Sequence, residues 1–77
     1  MRWQDKYPRG SSVEVYVILP DGGVWWPATV DGREGAAGQY LTVLVRPLTG
    51  VVRFDTGEQV KPYRDRVYRA QDVRRPT

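Results

Sequence analysis

Ten residues, Asp21-Gly22-Gly23-Val24-Trp25-Trp26-Pro27-Ala28-Thr29-Val30, constrain the fold more than any other part of the sequence. Asp-Gly-Gly is a turn signal, supplying backbone freedom where an extended chain must reverse. After it, Trp26, Ala28 and Val30 recur at spacing two. In a strand these three share one face, and Trp25, Pro27 and Thr29 share the other. The stretch before the turn is the clearest strand in the chain, with Val13, Val15, Val17 and Leu19 alternating with Ser12, Glu14, Tyr16 and Ile18. A hairpin with one tryptophan facing each way is therefore the expected centre of the fold. Trp26 is expected inward, as a core anchor, and Trp25 outward. Pro27 lacks an N–H and is expected at an edge position or a bulge.

The remaining signals are also short and extended. Residues 1–9 read as an N-terminal arm broken at Tyr7-Pro8-Arg9-Gly10, with Trp3 and Tyr7 able to fold back onto the domain. Residues 31–39 contain three glycines and read as a long hairpin loop; they lack the Gly-Lys-Ser/Thr ending of a phosphate cradle. A third strand is expected over Tyr40–Arg46, with Leu41, Val43 and Val45 on one face. Pro47-Leu48-Thr49-Gly50 reads as a turn. A fourth strand is expected over Val51–Asp55, with Val52 and Phe54 as its inward pair. Val60-Lys61-Pro62-Tyr63 is expected to be extended, because a residue before proline avoids the helical region. Between residues 64 and 77 a short 3₁₀ turn at Ala70-Gln71-Asp72 is expected between two short extended pieces. The resulting expectation is all-β: a small five-stranded antiparallel barrel over residues 10–76, which would also remove exposed sheet edges.

Composition narrows the chemistry. With 77 residues the chain is one domain at most. It has neither cysteine nor histidine, so thiolate ligands, disulfides and the commonest general base are all missing. No paired carboxylate motif has the spacing of a metal site, and no nucleophile elbow is present. The reading is a non-enzymatic protein with no cofactor and no metal. No apolar run approaches the length needed to span a membrane, and residues 1–6 lack the apolar core of a signal peptide, so a soluble cytoplasmic protein is expected.

Charge is unevenly placed. Residues 1–60 carry six basic and seven acidic side chains, net −1, whereas residues 61–77 carry six basic and two acidic, net +4. Ten of the twelve basic residues are arginine, which suits two-pronged contacts to phosphate or carboxylate.

The hairpin pattern resembles a known family. Gly10-x-x-Val13-Glu14-Val15, followed by Asp21-Gly22-x-x-Trp25-Trp26-x-Ala28-x-Val30, resembles the opening hairpin of Tudor and agenet domains. The ending Asp72-Val73-Arg74-Arg75-Pro76 is similar to that of agenet modules. The resemblance implies an SH3-like five-stranded barrel with a binding role in chromatin- or RNA-linked settings. It also implies an aromatic cage for a methylated Lys or Arg, in which Trp26 maps to one wall. Ile18, Leu19 and Arg46-Pro47-Leu48-Thr49 stand where further walls would come, so the cage is mostly missing, and an arginine there opposes a cationic ligand.

Three partner classes remain open at this point. Nucleic acid, or an acidic protein surface, would be met by Arg64, Arg66, Arg69, Arg74 and Arg75 together with exposed Tyr63, Tyr68 and Trp25. A protein partner, including a second copy in a homo-oligomer, would use Trp25 as a hot-spot residue. A methylated-peptide reader would use the residual cage candidate Trp26. Against the first stands a bland alternative, in which the tail arginines pair with Glu14, Asp55 and Glu58. Against the second, Trp25 is covered by the N-terminal arm through Trp3 or Tyr7; against the third, Trp26 is a core tryptophan.

Overall fold

Alternating valines set the centre of the sheet. In the computed structural model, which describes residues 2–77, β1 (Ser12–Leu19) buries Val13, Val15 and Val17 and leaves Ser12, Tyr16 and Ile18 exposed. β2 (Gly22–Glu34) returns antiparallel, with Val15 opposite Trp26 and Tyr16 opposite Trp25. β3 (Tyr40–Val45) turns Leu41, Val43 and Val45 into the same core. The period-two reading of these three strands holds because each has a fully apolar face that only burial can satisfy.

Four further strands complete the fold. β4 (Val52–Arg53) and β5 (Gly57–Glu58) form a separate two-stranded ribbon. β6 (Tyr63–Val67) pairs with β3, and β7 (Val73–Arg74) pairs with β1 at Glu14 and Val15. The main sheet thus has five antiparallel strands in the order β6-β3-β2-β1-β7. The all-β expectation and the five-stranded antiparallel sheet hold, but the sheet is open. β6 and β7 end it on opposite sides, and no ladder joins them among the described residues. β7 is only two residues long and pairs with β1 alone. The 3₁₀ turn Ala70–Asp72 stands directly before β7, as expected.

Three expectations are corrected. The fourth strand shrinks to Val52–Arg53, and its faces are reversed. Val52 and Phe54 are exposed, while Val51 packs against the core and Arg53 is half-buried. Leu48, read as a turn residue, is fully buried in place of the expected pair. The cause is local: the Val51 N–H bonds the Leu48 carbonyl at 3.2 Å and Gly50 takes φ 77°, which offsets the chain by one residue relative to simple alternation. The loop at 31–39 is also shorter than expected, because β2 continues to Glu34 across a register shift between Val30 and Gly32.

The N-terminal arm is docked. Trp3–Lys6 forms a 3₁₀ turn whose Gln4 is buried, its amide donating to the Gln39 carbonyl at 2.8 Å. Arg2 donates to the Ala37 carbonyl at 2.6 Å, and Asp5 pairs with Arg33. Trp3 and Tyr7 pack against the core. The arm therefore closes the far end of the β2–β3 hairpin and does not cover Trp25.

Candidate functional site

The tail arginines lie in three different settings. Arg64 and Arg66 are two apart on β6, so they project from one face of the sheet, opposite Leu44 and Thr42 of β3. On that face the Tyr40 and Tyr68 rings meet with centroids 5.0 Å apart. The Arg66 guanidinium lies 5.2 Å from the Tyr40 centroid and its Nη1 donates to the Tyr68 hydroxyl at 3.4 Å. That bond, followed by the charge interaction with Tyr40, raises the Arg66 pKa further above its already high ordinary value. Arg64 pairs with Asp31 at 3.2 Å while most of its side chain stays in solvent. Tyr68 and Leu44 are exposed beside them. The result is a surface of two rings, one apolar side chain and two guanidinium groups.

Arg74 belongs to a different cluster. Its Nε donates to Glu14 at 2.7 Å, and its guanidinium stacks 4.3 Å from the Trp25 centroid. Trp25 in turn meets Tyr16 edge-on, with centroids 5.4 Å apart and planes at 65°. Tyr16 leans over Gly23, where any Cβ would collide with its ring. A side chain at position 23 would therefore have to displace the Tyr16 ring from this cluster. Trp25 faces outward as expected, but it is covered by Arg74 and Tyr16, and this cluster holds β7 to the hairpin. Arg75 donates to the Lys6 carbonyl at 2.6 Å and lies 5.6 Å from the Tyr7 centroid, holding the tail to the arm. Arg69 pairs with Asp72 at 3.1 Å across the 3₁₀ turn. Of the bland pairings, only Arg74 with Glu14 forms; the expected second cluster at Arg74-Arg75 divides between two attachments.

Tyr63 is not the exposed stacking residue expected from the sequence. It shares the inward face of β6 with Val67, packs against the core, and lies 5.1 Å from the Arg53 guanidinium. Its buried hydroxyl has no hydrogen-bond partner among the described residues. Burial raises its pKa above 10.0, outweighing the lowering effect of the Arg53 charge. A phenol with a raised folded pKa destabilises the fold as pH rises past its unfolded value near 10, because only the unfolded chain then ionises freely. Tyr63→Phe should leave the unfolding free energy at pH 7 within about 0.5 kcal/mol of wild type. The same variant should lose less stability than wild type between pH 9 and 11, which chemical denaturation across that range would measure.

Trp26 occupies a place of its own. The Arg46 N–H donates to the Pro27 carbonyl at 3.1 Å, which sets Pro27 opposite Arg46 at the end of the β2–β3 pairing. A residue with an N–H at position 27 would return a bond to the Arg46 carbonyl; proline cannot. The Trp26 indole N–H donates to that carbonyl at 3.2 Å instead. The indole is thus fixed at the head of a groove of about 590 Å³ lined by Glu14, Trp25, Trp26, Pro27, Arg46, Pro47, Thr49 and Val60. Trp26 is only partly buried against the core, so it serves as core edge and groove wall together. The sequence holds the signal for this device, a proline following a tryptophan in a strand, but the carbonyl it serves lies on another strand.

Among the described residues no group of three or more Asp or Glu side chains could hold a metal ion, and no helix is long and apolar enough to cross a membrane. No protein-family model, no curated protein and no solved structure matches this chain.

Proposed function

We propose that the chain is a non-enzymatic, Tudor- or agenet-like binding module of SH3-like architecture that holds single-stranded nucleic acid across the outer face of β3 and β6. The SH3-like reading is supported by the strand order and by the 3₁₀ turn that separates β6 from β7. The observation that carries the ligand is the grouping of the Tyr40 and Tyr68 rings with the Arg66 guanidinium, flanked by Arg64 and Leu44. Bases stack on exposed aromatic rings whatever their sequence, and arginines at strand spacing follow the backbone phosphates. Double-stranded DNA is a poorer match, because the described residues offer no α-helix or projecting basic ribbon to enter a groove.

The test is fluorescence anisotropy with labelled twelve-nucleotide DNA and RNA strands across a salt series. Affinity should fall with salt at a log–log slope of about −0.7 per phosphate contact, giving roughly −1.5 to −2 for two or three contacts. Arg66→Ala combined with Tyr68→Ala should weaken binding about tenfold or more. Arg74→Ala should leave both affinity and slope unchanged while lowering stability by about 1 kcal/mol, since Arg74 belongs to the Trp25 cluster. Absence of binding at low salt, or sensitivity to Arg74 with none to Arg66 and Tyr68, would refute the assignment.

A further inference from the structure

The groove beside Trp26 shares no lining residue with the Tyr40–Tyr68 face and has a chemistry of its own. We infer that it takes an extended peptide segment carrying an apolar side chain and a nearby carboxylate, added as a strand to the open edge of β2.

The edge comes first. β3 meets β2 only from Pro27 onward, where the Pro27 carbonyl accepts the Arg46 N–H, so Gly22–Trp26 are paired on the β1 side alone. The Pro27 carbonyl points away from β1, toward Arg46. By strand alternation the peptide groups of Gly23 and Trp25 point the same way. β3 ends at Val45, and on that side Gly23 and Trp25 have no backbone partner among the described residues. A guest strand can take the place that β3 vacates.

The groove supplies a seat for a side chain next to that edge. Trp26, Pro27, Pro47 and Val60 give it apolar walls. Val60 is exposed in the free chain, at 65% of its full area.

Charge then selects the guest. Glu14 is engaged by Arg74, whereas Arg46 takes part in no ion pair and no side-chain hydrogen bond among the described residues. Of the groove's two charged side chains, the one left to a ligand is positive, so the complementary guest carries a carboxylate. A methylated lysine or arginine would meet that charge unfavourably. Main-chain pairing supplies affinity in this arrangement, the apolar seat anchors one side chain, and Arg46 sets the preferred sign.

The test is selection of a random decapeptide display library on the 77-residue protein, followed by titration of the most enriched sequence as a blocked synthetic peptide. Enriched sequences should place Asp or Glu within two or three positions of a large apolar residue. Arg46→Glu should weaken the chosen peptide about tenfold and shift a repeat selection toward Lys and Arg. Val60→Asp, at an exposed position that spares the fold, should weaken it as well. N-methylation of alternate peptide amides should abolish binding. No enrichment, enrichment of basic sequences by the wild type, or indifference to Arg46→Glu and to N-methylation would overturn the inference. Displacement of the peptide by a single-stranded oligonucleotide would overturn it too. So would a dimer in sedimentation that Arg46→Glu dissociates, which would give the groove to a second copy.

Discussion

Leu48→Ala is expected to lower the unfolding free energy by about 2–5 kcal/mol, and Phe54→Ala to change it by less than about 0.5 kcal/mol. The two residues are six positions apart in one turn-rich segment, and apolar character alone would rank the phenylalanine higher. Exposure reverses that order: Leu48 is 0% exposed and Phe54 is 71% exposed. Leu48 fills the core beneath a turn whose Val51 N–H bonds back to its carbonyl, so the site has little freedom to collapse around a cavity. A domain of this size has a total stability of roughly 5–10 kcal/mol, so the leucine variant should lose a large fraction of it. Urea titration followed by tryptophan fluorescence would measure both changes at a common m-value. A larger cost for Phe54 than for Leu48 would mean that this segment packs by simple alternation after all.

That contrast shows where sequence pattern loses its hold. β1, β2 and β3 were legible because each carries at least three apolar residues at spacing two, and a slip by one residue would expose all of them. Val51-Val52-Arg53-Phe54 has apolar residues on both alternating sets, so either face could be buried and the preceding turn decides. Leu48 was hidden among Pro47, Thr49 and Gly50, which signal a turn without saying that the turn covers the core. Closure of the sheet was equally beyond reach, since it depends on how far a two-residue β7 can extend.

The candidate site divides along similar lines. Arg64 and Arg66 sharing a face follows from strand spacing alone, and that part was legible. The partners of the remaining tail arginines were not, because Arg74 with Glu14 spans 60 residues and Arg75 with Lys6 spans 69. Sequence spacing carries no information at such separations. Tyr40 was read as a strand residue and not as part of a site; its role emerges only when β6 lies beside β3 and brings Tyr68 and Arg66 onto its ring. The apparent basic tail is therefore a pair of arginines on an aromatic face, two arginines that fasten the C-terminal segment in place, and Arg69, which pairs within that segment.

Trp26→Ala should cost about 3 kcal/mol, near the lower end for a large aromatic because the ring is only half-buried. Trp25→Ala should cost less, about 1–2 kcal/mol, through lost contact with Tyr16 and the Arg74 guanidinium. The sharper measurement isolates the indole N–H. Trp26→Phe keeps an aromatic ring on the core but leaves the Arg46 carbonyl without its donor, at a cost of about 1 kcal/mol in hydrogen bonding besides the change in ring size. Pro27→Ala returns a backbone N–H at the position opposite Arg46, where the ladder would place a donor. In that background the indole is redundant, so Trp26→Phe should cost less than it does beside proline. The difference, read as the interaction energy of a double-mutant cycle, should be about 0.5–1.5 kcal/mol in the direction of rescue. Additive costs would show that Trp26 acts through packing alone and that solvent can satisfy the Arg46 carbonyl in place of the indole. Rescue would show that the Trp-Pro pair is one device, with the tryptophan making the strand bond that the proline cannot.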